Sequence, residues 1–167
     1  MIRLHIATLL LFASISFAEA QPPATAPKVE VKKDELKLSK EEQGVIDLTN
    51  EERKKADLPP LKANFKLMVA ARGHAENMAK QDKLHHVLDE KQPADRVKAA
   101  GYDYGYLGEN VAWNQADPKE VLESWMNSQS HKDNILNKEY AEIGVAVAKN
   151  AKGERYWVQV FAKQLDK

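Results

Sequence analysis

The side chains best suited to chemistry are four histidines in the body of the chain, His74, His85, His86 and His131, if carboxylates converge on them. An imidazole changes charge near neutral pH, can ligate a metal and can serve as a general base. The chain has no cysteine, which excludes thiol catalysis, thiolate metal ligands and disulfides. No His-Glu-x-x-His run, Gly-x-Ser-x-Gly turn or phosphate-cradling glycine loop occurs, so the compact catalytic signatures are missing. Ser128 and Ser130 adjoin His131, but a nucleophile–base pair requires facing side chains, which adjacency does not supply. His74 recurs with Leu67, Ala71 and Met78 at helical spacing, which predicts a satisfied core or cleft-edge histidine rather than a ligand. Tyr102, Tyr104 and Tyr106 either line a groove for a sugar or peptide or pack a loop onto the domain.

These residues must be held by elements whose signals are local. Ser39 and Glu42 have the spacing of a capping box, and Val45, Ile46, Leu48 and Thr49 continue it as a helical stripe ended by Pro59-Pro60. A second helix is predicted from near Asn64, carrying Leu67, Ala71, His74, Ala75 and Met78 on one face. Pro93 to Ala100 reads as a short helix stopped by Gly101, and Gly101 to Gly108 as a loop. Asp117-Pro118 opens another helix with Val121, Leu122, Trp125 and Met126 inward, and His131 to Leu136 a short helix or turn. The period then changes. Ile143, Val145 and Val147, followed by Tyr156, Val158 and Val160, alternate with their neighbours around Lys149 to Gly153, which predicts a β-hairpin. Helices first and a strand pair last imply an α+β domain with helices packed on an antiparallel sheet.

The first twenty residues read as a separate object. Arg3 precedes an apolar run from Ile6 to Phe17, and Ala18-Glu19-Ala20 matches a small-x-small cleavage signal. That run of about twelve residues falls short of the roughly 20 needed to span a bilayer, so a signal peptide is expected rather than an anchor. The product is then secreted, extracellular or periplasmic, with no transmembrane helix in its mature part. Residues 21–38, with Pro22, Pro23 and Pro27, read as a flexible linker, leaving 39–167 as the domain. Lys plus Arg and Asp plus Glu balance at 25 each, so no nucleic-acid partner is expected.

Four ordered stretches carry a resemblance. They are Ala71-Arg72-Gly73-His74-Ala75-Glu76-Asn77-Met78-Ala79 with His86; Gly101-Tyr102 leading into Gly108-Glu109-Asn110-Val111-Ala112; Trp125 through His131 continued by Asn134-Ile135-Leu136; and Ile143-Gly144-Val145-Ala146 with Tyr156 through Phe161. In this order the chain resembles the SCP domain of the CAP superfamily (cysteine-rich secretory proteins, antigen 5, pathogenesis-related proteins), in its short bacterial form. Eukaryotic secreted relatives usually carry disulfides, so a cysteine-free chain fits the bacterial form. The resemblance implies a three-layer α–β–α sandwich with a central antiparallel sheet and an open cleft. It also implies two cleft histidines and acidic residues, which bind divalent metal in some members.

Carried over by position, the cleft residues are His86, Glu109 and His131, with Asn110 beside them. His86, His131 and Glu109 would form a two-nitrogen, one-oxygen set for Zn²⁺ or another divalent cation, with a position left open for water or substrate. Against this stands the plainer reading that Glu109 and the histidines hydrogen-bond across the cleft and hold a loop to the sheet. His85 is expected to face solvent, and is the alternative to His86 if the register shifts by one. Asn110 is expected either to hold Glu109 in place or to terminate a strand. The chain departs from the family twice: Ser128 stands where a second glutamate is usual, and Gln129-Ser130 where Pro-Gly is usual. The function implied is a secreted binding module for a small ligand, lipid, peptide or cell-envelope glycan. The alternative is a metal-dependent, peptidase-like hydrolase in the same cleft, since fold does not fix function.

Overall fold

The computed structural model describes residues 37–165; the expected signal peptide and nearly all of the 21–38 linker lie outside them. Helix α1 (Lys40–Lys55) starts where its caps require. The Ser39 hydroxyl accepts from the Glu42 N–H at 3.1 Å, and the Glu42 carboxylate accepts from the Ser39 N–H at 2.8 Å. After the two prolines comes a two-residue strand, β1 (Lys62–Ala63). Helix α2 (Phe65–Gln81) is capped by the Asn64 side chain and ends at Asp82, whose φ of 55° turns the chain off the helix axis. Helix α3 (Pro93–Ala99) is followed by β2 (Tyr104–Trp113). Then come α4 (Pro118–Met126), capped by Asp117, α5 (Gln129–Ile135), and the hairpin β3 (Glu142–Lys149) and β4 (Arg155–Gln164).

The sheet order is β1-β3-β4-β2. Strands β3, β4 and β2 are antiparallel neighbours, and β1 adds a short parallel pairing of Lys62 with Glu142 and Ala63 with Ile143. Strand alternation sends successive side chains to opposite faces. On one face Val111, Ala146, Tyr156, Val158, Val160 and Ala162 pack with α2 and with Val97 and Tyr102. On the other, Ala112, Ile143, Val145, Trp157 and Phe161 pack with Val45, Ile46, Val121, Leu122, Trp125 and Ile135 from α1, α4 and α5. The result is the expected three-layer α–β–α sandwich. Gly144 is required at the α2 interface, because a Cβ there would run into the backbone of Leu67 and Met68.

One element differs from its sequence reading. The loop expected from Gly101 to Gly108 is strand from Tyr104 onward, paired with β4 from Tyr104↔Gln164 through Trp113↔Tyr156. Its first half is an outer, partly exposed edge with a register shift between Tyr104 and Tyr106. Burial does not impose an alternating apolar pattern there, so glycines and tyrosines read as loop. Tyr102 itself is fully buried and donates to Glu142 at 2.5 Å, which makes it a packing residue. Tyr104 lies under the Lys98 ammonium, and Tyr106 is exposed.

Candidate ligand-binding cleft

Glu109 is the centre of the site. It sits on β2 on the face covered by α2 and α3, and its side chain is only 3% exposed. The His86 Nδ1 lies 2.9 Å from Oε1. The Arg96 guanidinium donates through Nη2 to Oε2 at 2.6 Å. The buried His74 Nε2 lies 3.9 Å from Oε1 and 2.9 Å from the His85 carbonyl. Both oxygens of a buried carboxylate are thus engaged, as burial of a charge demands.

His86 sits on the loop between α2 and α3, which is fixed at several points. His74 meets the His85 carbonyl, and Arg96 Nη1 donates to the carbonyls of His86 at 3.0 Å and Lys91 at 2.8 Å. Asn77 and Gln81 donate to Asp89, while Leu88 is buried in the core. The His86 ring, 49% exposed, is therefore presented to solvent from a rigid base. In the neutral ring the carboxylate places the proton on Nδ1, leaving the Nε2 lone pair outward with no partner among the described residues. His85 is exposed and accepts from the Val87 N–H through Nδ1, so of the two adjacent histidines it is His86 that meets Glu109.

His131 is on α5, across the β2 edge. Burial, and secondarily the charge of His86, hold its pKa below the ordinary histidine value. No side-chain hydrogen bond joins His131 to Glu109 or His86 among the described residues. The depression beside Glu109, about 520 Å³, is lined by His86, Gln92, Pro93, Ala94, Leu107, Gly108 and Glu109. A larger groove of about 600 Å³ lies between α2 and α3, with His74 and Arg96 in its lining.

Asn110 is not a cleft residue. Adjacent strand positions face opposite sides, so it points away from Glu109 and is fully buried. Its Nδ2 donates to the His131 carbonyl at 3.1 Å and to Gln159 Oε1 at 3.2 Å, and its Oδ1 accepts from Asn134 at 2.8 Å. Gln159 donates in turn to Thr49 at 2.7 Å, and Thr49 to the Val45 carbonyl at 2.7 Å. Asn110 thus neither holds Glu109 nor ends the strand; it holds the backbone of His131 through a satisfied chain running to α1. Gly108 precedes the pair because a Cβ there would collide with Tyr140 and Asn134.

Ser128 is the backbone cap of α5 without a side-chain cap hydrogen bond, and α5 begins two residues before His131, at Gln129. Ser130 is exposed. A divalent cation does not fit the donors as they stand. One Glu109 oxygen is taken by His86 and the other by a guanidinium, and no group of three His, Cys, Asp or Glu among the described residues is arranged to hold a metal. Sequence reasoning missed Arg96 and Gln159. Arg96 carried no signal that set it apart from the other cations of the chain; Gln159 was findable as the polar residue within the apolar run of β4.

Residues 46–161 match the Cysteine-rich secretory protein family, CAP. The chain belongs to that family. Among curated proteins the CAP domain is similar to YkwD, an uncharacterized protein of Bacillus subtilis, at 35% identity over 85% of this chain and 55% of YkwD. Among solved structures it is similar to an extracellular SCP-domain protein from Bacillus anthracis, with a TM-score of 0.68, 26% identity, and coverage of 74% of this chain and 40% of that one. An outer surface protein of Borrelia burgdorferi gives a TM-score of 0.68 at 25% identity, covering 74% of this chain and 92% of that one. The chain spans about half the length of YkwD. No helix among the described residues is long and apolar enough to cross a membrane.

Proposed function

We propose that this CAP domain is an extracellular binding module whose cleft recognises a hydrogen-bonding ligand through His86, without a metal. The observation that carries the reading is the locked carboxylate: Glu109 is spent on His86 and Arg96 and presents the imidazole rather than itself. The outward Nε2 is an acceptor for a ligand hydroxyl or N–H, with the Gln92 amide and the apolar surfaces of Pro93 and Leu107 beside it. Of the ligand classes that the family resemblance raised, a cell-envelope glycan fits this shallow, mixed lining better than a lipid chain, which needs a deep apolar pocket. The descriptions of the Bacillus anthracis and Borrelia relatives as extracellular and outer surface proteins support an extracellular setting.

A metal-dependent hydrolase in the same cleft is less well supported, because both oxygens of Glu109 are already engaged, one by His86 and the other by the Arg96 guanidinium. No serine or threonine hydroxyl hydrogen-bonds a histidine among the described residues. The test is a titration of the protein with soluble N-acetylglucosamine oligomers, followed by ¹H–¹⁵N spectra. Shifts confined to His86, Gln92 and Leu107–Glu109, abolished in His86→Ala, are expected. Shifts in the α2–α3 groove, or none at all, would contradict the glycan reading.

A further inference from the structure

We propose that Arg96 is the resident cation of this cleft: it occupies the side of Glu109 that a divalent metal would need, and so selects against metal binding. The family resemblance leads one to expect a metal-binding set at His86, Glu109 and His131, and the geometry disagrees at one identifiable residue. Arg96 has a side chain 10% exposed and contacts three acceptors at once: Glu109 Oε2 at 2.6 Å, the His86 carbonyl at 3.0 Å and the Lys91 carbonyl at 2.8 Å. A planar guanidinium can span such a set because its donors form a fixed fork; a compact ammonium cannot.

The arrangement neutralises Glu109 from within the fold. A divalent ion entering here would have to break the 2.6 Å ion pair and leave a largely covered guanidinium without its counter-charge, held only by the two carbonyls. It would also have to displace the Nδ1 proton of His86 from Oε1. Arg96 therefore acts as a positioning residue with two effects. It excludes cations from Glu109, and it ties the loop carrying His86 to the start of α3. Ser128, standing where a second acidic residue is usual, is consistent with a site that already carries its own positive charge.

The inference stands apart from the nature of the organic ligand, and its test uses zinc alone. Calorimetric titration of the whole protein with zinc chloride at neutral pH should give no binding that depends on Glu109. Arg96→Gln should bind zinc at least about tenfold more tightly, because freeing the carboxylate creates a ligand that neutral imidazoles can join. The gain should disappear in Arg96→Gln/Glu109→Gln. A merely structural role for Arg96 would not create a Glu109-dependent zinc site, and a folded Arg96→Gln protein without the gain would overturn the proposal. Should that variant fail to fold, the wild-type protein decides the matter. The Arg96 Nε–Hε signal in ¹H–¹⁵N spectra should not move with added zinc, and a shift at micromolar zinc would refute the proposal.

Discussion

At Glu109 the outcome was decided by which cation reached the carboxylate, and Arg96 reaches it from a helix only a turn away from β2. The partnership of His86 with Glu109 was legible because the residue types and their family positions suggested it. Arg96 was not legible, because nothing in a linear pattern distinguishes a guanidinium turned inward from the many turned to solvent. The histidines carry a prediction at this scale. Burial, the leading cause, holds the pKa of both His74 and His131 below the ordinary value; for His74 the charge of Glu109 opposes the shift. Each therefore binds fewer protons in the folded state than in the unfolded state as pH falls below about 6.5. Stability should decline on acidification from pH 7 toward 5, and His131→Asn should flatten part of that decline. Urea midpoints of the two proteins across that range check this; identical slopes would remove His131 from the account.

At the level of elements, the helices were legible because their caps are short-range chemistry. The hairpin was legible because both its faces are buried, so it reads as two runs of β-branched, aromatic and small apolar residues on either side of a turn. The first half of β2 was hidden because no residue from Tyr104 to Gly108 is fully buried, so core packing imposes neither an apolar run nor an alternation on it. The role of Asn110 was hidden for a related reason: calling Gly101 to Gly108 a loop left no phase from which to assign facing. With the strand in place, alternation puts Glu109 and Asn110 on opposite sides, one serving the cleft and the other the α5 anchor. Asn110→Ala should then strand the Gln159 carbonyl oxygen and an Asn134 N–H in the interior, at a destabilisation of about 3 kcal/mol. It should also shift the His131 ring resonances while leaving those of His86 nearly unchanged. Chemical denaturation and histidine-selective NMR read the two effects separately.

Across the whole molecule, the α+β class followed from periodicity, while the sandwich and its cleft followed from the family resemblance. The parallel pairing of β1 was beyond reach, since two residues carry no period. Long-range ties were equally silent in sequence. Arg53, fully buried, donates to the carbonyls of Pro59, Ile135 and Asn137 and so joins the end of α1 to the end of α5. Asp82, at the end of α2, accepts from Lys152, Tyr156 and Asn150 of the hairpin at 2.6 to 2.7 Å. Those bonds, that to Lys152 first, hold its pKa down at about 2. A depressed carboxylate stabilises the fold above its unfolded value of about 4, and that contribution is lost as pH falls through 2. The stability advantage of the wild-type protein over Asp82→Asn should accordingly be constant above pH 5 and vanish near pH 2. A difference that stays flat with pH would show that the carboxylate's charge is not what joins α2 to the hairpin.

The central claim is that Glu109 is held between His86 and Arg96 and is closed to metal. A crystal structure grown in millimolar zinc chloride tests it most directly. The account predicts the Arg96–Glu109 pair intact near 2.6 Å, with no metal on either carboxylate oxygen. A zinc ion bound by Glu109 and His86, with Arg96 swung into solvent, would contradict it.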